Sequence, residues 1–380
     1  MKPARVHLAC AILLAGLTAC AAAVGAEFKE GEHGPATLKI IEGVPVLHVY
    51  GTPEEMGEQH GTLFGPQVQL LLDRYLNKML LPAGRDVGLR DAVLKQARVI
   101  EKSIPEDYVK EMKALATAAG VEYDDVLLAN TVFDIKRVVY CSTVVAVGER
   151  SADGKPIFGR NLDFPTLGVA QDYSCIVVMH PEKGHAVAAV TFPGIVGVLS
   201  GLNDAGVAAA TMEVHLRGVN LEAMPYAMLF RTALTGADST ADVIKTVTDN
   251  ARTTSNNLMV CDAEGDAACV ELAIRKVAVR RPEEGVVYAT NHFRSKELGS
   301  DWICWRIPRI RKALENGVAV DDALMKKMLD SVAQRHLTMH SMIFRPASRE
   351  LLLAIGEPPV TKNRFVRFKE SVLFPEEEGQ

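Results

Sequence analysis

The sequence predicts an α+β fold in which a mainly helical segment leads into a run of antiparallel strands. Three observations carry that prediction. Helix-start signals concentrate before residue 140, short β-branched or alternating stretches separated by turn residues begin at Cys141, and strands and helices then come in runs instead of strict alternation. Runs of this kind favour a layered α+β protein over a parallel, doubly wound sheet.

The elements follow in order. A strand-like stretch, "TLKIIEGVPVLHVYG", precedes "TPEEMGEQHGTLFGPQVQLLLDRYLNKML", where Thr52 is a helix N-cap, Pro53 lies in the first turn and glutamates follow early. "IPEDYVKEMKALATAAG" repeats the device and ends on Gly120, a C-cap, and "YDDVLLANTVFDI" reads as a further helix. His60 falls inside the first helix and is left without a role. Beyond Cys141, "CSTVVAV", "KPIFGRNL", "SCIVVMH", "HAVAAVTF" and "GVAAATMEV" read as strands, divided by "ADGK", "PEKG" and "NDAG". Helices are expected in "EAMPYAMLFRTALTG" and in "STADVIKTVTDNA", the latter capped by Ser239. "NNLMVCDAEGDAACVEL" is a hairpin, followed by "VAVRR" and "GVVYATN". Two helices, near "WRIPRIRKALENG" and "VDDALMKKMLDSVAQ", precede closing strands in "TMHSMIFRPASRELLLAIG". No repeat, low-complexity tract or interdomain linker interrupts the chain, so one globular domain is expected, with segments 27–140 and 141–380 as its two parts.

With 380 residues, 48% of them hydrophobic, the chain can bury a large core. A net charge of −5 and the lack of any long lysine and arginine run argue against a nucleic-acid partner. The first 26 residues set Lys2 and Arg5 ahead of an apolar stretch too short for a comfortable membrane span, which reads as an export signal. Two processing sites compete: "VGA" before Glu27 suits ordinary signal cleavage, and "LTAC" resembles the bacterial lipobox, with Cys20 lipidated. The lipobox is the preferred reading, and it places the protein outside the cytoplasm on a lipid anchor.

Without Cys10 and Cys20, five cysteines remain: Cys141, Cys175, Cys261, Cys269 and Cys304. Cys261 and Cys269 flank a hairpin turn and could face each other, although facing positions on a sheet do not ensure disulfide geometry. No C-x-x-C pair and no H-E-x-x-H pattern is present, so a zinc site is not indicated.

Cys141 stands at the head of an apolar strand, which suits core packing. It also suits chemistry. A thiol near its ordinary pKa is mostly protonated at neutral pH and needs help to act as a nucleophile. If the Tyr140–Cys141 bond were cut, the new α-amine, with a pKa of about 7.7 to 8.0, would be a base beside its own thiol.

The stretch "CSTVVAV...DGKPIFGRNLDF" resembles the start of the catalytic chain of the N-terminal nucleophile hydrolases, closest to the autoproteolytic family of acyl-coenzyme A:6-aminopenicillanic acid acyltransferase. Choloylglycine hydrolases and acid ceramidases are more distant relatives of the same type. "GTPEEMGEQHG", "GLNDAGVAAA", "NNLMVCDAEGDAACVELA", "YATNHF" and "HSMIFRPASRELLLAIGEPP" extend the resemblance along most of the chain. It implies an αββα sandwich, no cofactor, and a precursor cut between Tyr140 and Cys141. It further implies that Cys141 is the nucleophile toward a linear acyl-amide, with acyl transfer as a possible second outcome. Asp163 would hold the α-amine, Arg160 would orient the site and favour the thiolate, and Asn291 would be the side-chain oxyanion donor. Near the position where choloylglycine hydrolases carry a second asparagine, this chain has Glu213, which would instead shape the substrate pocket. Asn256 and Asn257 are rival amide donors, though a strand start suits a structural role. Taken singly, Arg160 and Asp163 fit a turn-bracing ion pair and Asn291 fits a cap. Two other readings stay open: a binding protein on the same scaffold whose Cys141 is never cut, and a cysteine peptidase with His292, His336 or His340 as base.

Overall fold

A computed structural model of the chain describes residues 25–81, 88–136, 140–299 and 303–376. Residues 1–24, with Lys2, Arg5 and the lipobox-like Cys20, lie outside the described residues. Segment 25–136 contributes three strands, β1 (Gly31–His33), β2 (Ala36–Ile41) and β3 (Val44–Gly51), and four helices, α1 (Pro53–Leu70), α2 (Leu89–Glu101), α3 (Glu106–Ala119) and α4 (Tyr123–Lys136). Thr52 caps α1, as the sequence predicts, and forms a reciprocal capping box with Glu55. The long helical pattern does not stay α-helical. After Leu70 it continues as a π-helical stretch over Leu71–Leu80.

The glycines of "EMGEQHG" have a packing role. A Cβ on Gly57 would stand 2.1 Å from the Glu111 carbonyl oxygen, and one on Gly61 would stand 2.4 Å from that of Leu115. Only glycine lets α1 lie this close to α3, and α1 in turn rests on β3 and β6.

The remaining strands are β4 (Tyr140–Ala146), β5 (Ile157–Asp163), β6 (Cys175–Pro181), β7 (Val187–Thr191), β8 (Ser200–Asn203), β9 (Ala208–Glu213), β10 (Asn256–Cys261), β11 (Ala267–Leu272), β12 (Val277–Arg280), β13 (Val286–Ala289), β14 (Thr338–Arg345), β15 (Glu350–Ala354) and β16 (Val366–Phe368). They form a large sheet in the order β1-β2-β3-β6-β7-β8-β9-β10-β11-β12 and a smaller one in the order β13-β4-β5-β14-β15-β16. The pairing of β3 with β6 is parallel; the neighbours around it are antiparallel. Helices α5 (Tyr226–Thr235) and α6 (Thr240–Asp249) cover the large sheet, while α7 (Arg306–Ala313) and α8 (Asp322–Ser331) cover the outer face of the small one. The result is the expected αββα sandwich.

Strand alternation sorts the small sheet into two faces. Cys141, Val145, Phe158 and Leu162 join the main core between the sheets, whereas Val144, Ala146 and Ile157 pack with Met325 and Met328 beneath α8. In the hairpin of β10 and β11, Cys269 stands opposite Met259 and Cys261 opposite Ala267. The two cysteines are therefore offset along the ladder and both thiols are free, which corrects the expectation that they could bridge.

Candidate active site

Cys141 lies one residue inside β4, with no exposed surface, and its strand partner is Leu162 of β5. Tyr140, one residue earlier, is 38% exposed and stacks on His215 with ring centroids 4.7 Å apart. The chain thus passes from surface to core across one peptide bond.

Both backbone groups of Cys141 are held by side chains. Its N–H donates to Asn291 Oδ1 at 2.9 Å, and its carbonyl accepts from Arg306 Nη1 at 2.5 Å. Arg306 Nη2 also donates to Asn291 Oδ1, at 2.9 Å, while Asn291 Nδ2 donates to the Glu213 carbonyl at 2.8 Å. Two donors converge on one amide atom and an acceptor faces the other, which fixes the orientation of the Asn291 amide.

Arg160 shares the inter-sheet face with Cys141. Its Nη1 donates to the Thr211 carbonyl at 2.8 Å and its Nε to the Ser200 hydroxyl, so the guanidinium bridges from the small sheet to the large one. Burial pushes the Cys141 thiol up, and the neighbouring Arg160 guanidinium opposes that push by charge and by hydrogen bonding, with Arg306 helping.

Asp163 ends β5, three positions beyond Arg160, and its carboxyl stays within electrostatic reach of both Arg160 and Cys141. Its carboxylate accepts from Thr338 Oγ1 at 2.5 Å and Gln334 Nε2 at 3.0 Å, and lies 3.6 Å from Arg306 Nη1. In the intact chain the N–H of Cys141 meets Asn291, while Asp163 lies beside Arg306 and acts on the Cys141 thiol by charge. Burial raises the Asp163 carboxyl, against the pull of Thr338, Arg306 and Gln334.

Arg306 is the residue that the sequence reading does not single out. It is the first residue of α7 and 5% exposed, and nothing local in "CWRIPRIRK" separates it from the solvated arginines of the same helix. Its role becomes visible only when α7 is set against β4 and β13. Asn257, weighed as a rival donor, instead buttresses the site: its Nδ2 donates to the carbonyls of Thr290 at 2.7 Å and His292 at 3.0 Å, on either side of Asn291. Asn256 accepts from Thr211 at 3.1 Å. Glu213 ends β9, is buried and offers its carbonyl to Asn291.

The histidines considered as bases point elsewhere. His292 Nδ1 pairs with the Thr290 hydroxyl at 2.9 Å and burial lowers its pKa to about 4; His340 Nε2 pairs with Ser174 at 2.9 Å and is lowered by burial to about 3. Among the described residues, no hydrogen bond joins His292, His336 or His340 to Cys141. His60 is a buried tether that accepts from the Gly194 N–H at 2.9 Å. The described residues contain no cluster of three or more histidine, cysteine or acidic side chains placed to hold a metal ion, and no helix among them is long and apolar enough to cross a membrane.

One cavity borders this centre and a second lies between the π-helical stretch, α4 and Phe164, next in sequence to Asp163. One, of about 230 Å³, is lined by Tyr140, His215, Leu216, Asn291, His292 and Arg306. The other, narrower at about 50 Å³ and almost wholly apolar, is lined by Leu72, Tyr75, Val132, Phe133, Phe164 and Phe192 among others.

The fold and the site thus define an αββα sandwich with a buried cysteine at a strand head, clasped at both backbone groups. Residues 150–359, more than half of the chain, match the family model described as acyl-coenzyme A:6-aminopenicillanic acid acyl-transferase, and the chain belongs to that family. The matched stretch contains Arg160, Asp163, Glu213, Asn291 and Arg306, and begins downstream of Cys141. An uncharacterized protein of Archaeoglobus fulgidus is 29% identical over 271 residues, covering 63% of this chain and 45% of its own length. The acyl-coenzyme A:6-aminopenicillanic-acid-acyltransferase 40 kDa form of Emericella nidulans is 24% identical over 225 residues, covering 57% of this chain and 61% of its own. The chain thus spans only about half of the length of these relatives. A Caenorhabditis elegans N-acylethanolamine-hydrolyzing acid amidase ortholog superimposes with a TM-score of 0.44 at 16% identity, covering 55% of this chain and 93% of that one.

Proposed function

We propose that this protein is a self-processing N-terminal-cysteine amidohydrolase that cleaves a linear acyl-amide through a thioester acyl-enzyme, with acyl transfer as a second fate of the same intermediate. The observation that carries the reading is the clasp on Cys141, whose N–H and carbonyl are both held by side chains within one buried, cationic site. Backbone groups inside an ordinary strand need no such partners from outside the sheet.

In maturation, Cys141 Sγ attacks the Tyr140 carbonyl carbon. The C–N bond to Cys141 breaks, its nitrogen gains the proton lost from the thiol, and Tyr140 is left as a thioester. Water hydrolyses that thioester to a Tyr140 carboxylate and restores the thiol. The new α-amine stays where the amide nitrogen was, beside Asn291 Oδ1, and serves as the base for Sγ. In turnover, the thiol attacks the substrate amide, the amine leaves, and water or an acceptor amine resolves the acyl-enzyme. Arg160 favours the anionic sulfur, Arg306 and Asn291 hold the main chain, and Asp163 holds Arg306.

The apolar cleft between the π-helical stretch, α4, Phe164 and Phe192 supports an acyl chain as the part of the substrate recognised by burial. Departure of Tyr140 enlarges the cavity next to His215, which supports that side as the second subsite. Export by residues 1–26 with lipidation of Cys20 belongs to the same proposal, and a Cys20→Ser variant released from the membrane fraction would support it.

The test is intact-mass measurement and N-terminal sequencing of denatured, reduced wild type and Cys141→Ala. Two wild-type fragments, one beginning at Cys141, with the variant left whole, are expected. An uncut chain in both after long incubation in the folded state overturns the proposal.

A further inference from the structure

β12 stands at one end of the large sheet and β13 at one end of the small sheet, and only residues 281–285 separate the two strands. Where they meet lies a cavity of about 350 Å³, lined by Arg150, Arg280, Arg281, Arg294 and Arg311. Five guanidinium groups gather there on a chain whose net charge is −5.

Tyr288 of β13 holds three of them in place. Its carbonyl accepts from Arg280 Nη2 and from Arg294 Nη1, both at 3.2 Å, and its hydroxyl accepts from Arg311 Nε at 2.8 Å. The Arg294 guanidinium also lies over the Tyr288 ring, 4.6 Å from its centroid. Arg150 donates to the carbonyls of Val318, Glu284 and Leu314. These bonds fix the geometry and leave the charge in place.

Two of the five charges have partners: Arg280 pairs with Glu271 and Arg281 with Asp266. Among the described residues, Arg150, Arg294 and Arg311 have no carboxylate partner, and the acidic residues of the lining, Glu283 and Glu284, are exposed and form no ion pair. Arg294 donates from its guanidinium through Nη1 alone and Arg311 through Nε alone, so both keep N–H groups unspent on protein acceptors. Like charges held together destabilise the fold, and a bound anion relieves them. The fork of an arginine matches the oxygens of an oxyanion. A carboxylate brings one negative charge, whereas a phosphate monoester brings close to two near pH 7.

We infer that this cavity binds a phosphate-bearing ligand, whose oxygens take the unspent N–H groups of Arg294 and Arg311 while Arg150 adds its charge. The cavity shares no lining residue with the one beside Cys141, so its occupancy needs no cut before Cys141.

The probe is labelled inorganic pyrophosphate, measured by equilibrium dialysis against the full chain at low salt. Saturable binding is expected, weakened about tenfold or more by Arg294→Gln and by Arg311→Gln. Glu283→Gln combined with Glu284→Gln should tighten it about two- to threefold by removing repulsion, a response that a purely structural cluster would not give. Sedimentation with phosphatidylcholine vesicles, with and without phosphatidic acid, separates the sources of the phosphate. Extra binding to phosphatidic acid that the same arginine variants abolish assigns the site to a lipid headgroup; pyrophosphate binding without it assigns the site to a soluble phosphorylated molecule. Neither pyrophosphate binding nor extra binding to phosphatidic acid overturns the inference, and so does binding that both arginine variants leave unchanged. Should an arginine variant fail to fold, the exposed glutamate pair decides, and an affinity unmoved by its replacement overturns the inference.

Discussion

Replacing Arg306 by methionine probes the clasp on Cys141 most directly. The guanidinium makes two charge-assisted hydrogen bonds there, at 2.5 and 2.9 Å, and stands 3.6 Å from Asp163. Hydrogen bonds to charged groups contribute about 1.5–3 kcal/mol each, so the two together bound the loss at about 3–6 kcal/mol, or roughly a hundredfold to ten-thousandfold in rate. Both contacts already exist in the uncut chain, so part of that energy is shared by ground and transition states, and the expected loss in self-cleavage is about a hundredfold. Arg306→Lys retains the charge but not the fork, and should fall between wild type and Arg306→Met. The assay is the time course of cleavage by mass spectrometry. Asp163 supplies the accompanying pH signature. Losing Arg306 raises its carboxyl further, and at low pH that carboxyl is protonated with or without the arginine. The stability gap between wild type and Arg306→Met should therefore be smallest in acid and widen as pH rises and the carboxylate is left without its cation. Cleavage within twofold of wild type, with a gap that does not change with pH, would refute the reasoning.

Two further predictions concern the contacts that join the segments on either side of Cys141. Arg231 of α5 donates to both carboxylate oxygens of Glu111 on α3, at 2.7 and 2.8 Å, and both residues are buried. Glu111→Ala leaves a buried cation and should destabilise by about 3–5 kcal/mol in urea unfolding, with most of that recovered when Arg231→Met is combined with Glu111→Leu; equal loss in single and double variants would count against the ion-pair account. Asp134 is 1% exposed and burial raises its pKa to about 7. Between its unfolded value near 4 and about 7, the folded state holds a proton that the unfolded state releases, so this group's contribution to stability falls as pH rises through that window. Asp134→Asn should flatten the slope of urea midpoint against pH from about 4 to 7, and an unchanged slope would show that Asp134 is not its source.

Much of this was legible in sequence because it depends on local chemistry. The Thr52–Glu55 capping box, the turn-divided strands after Cys141 and the hairpin around Gly265 are written in neighbouring residues. Cys141, Arg160 and Asn291 were reachable because two of them share a hairpin and the third sits in a recognisable stretch. What escaped depends on faces and on long-range packing. Cys261 and Cys269 flank a turn, but the register offsets them along the ladder. Arg306 sits at a helix start with unremarkable sequence, and only the docking of α7 brings it to Cys141. The π-helical stretch after Leu70 likewise has no signal in a pattern that is continuously helical.

The parallel seam between β3 and β6 bears on the order of events. β1, β2 and β3 belong to the segment before Cys141, yet they complete a sheet whose other seven strands come after it, and one hydrophobic core runs through both. On the proposed reading, the uncut chain forms this seam as an intramolecular step. Once the Tyr140–Cys141 bond is gone, rebuilding it from unfolded pieces is a bimolecular encounter between partners that each expose half of a core. Folding must then come first and cutting second. The mature protein would persist through its barrier to separation, and dilution after denaturation would be the condition under which it is lost for good.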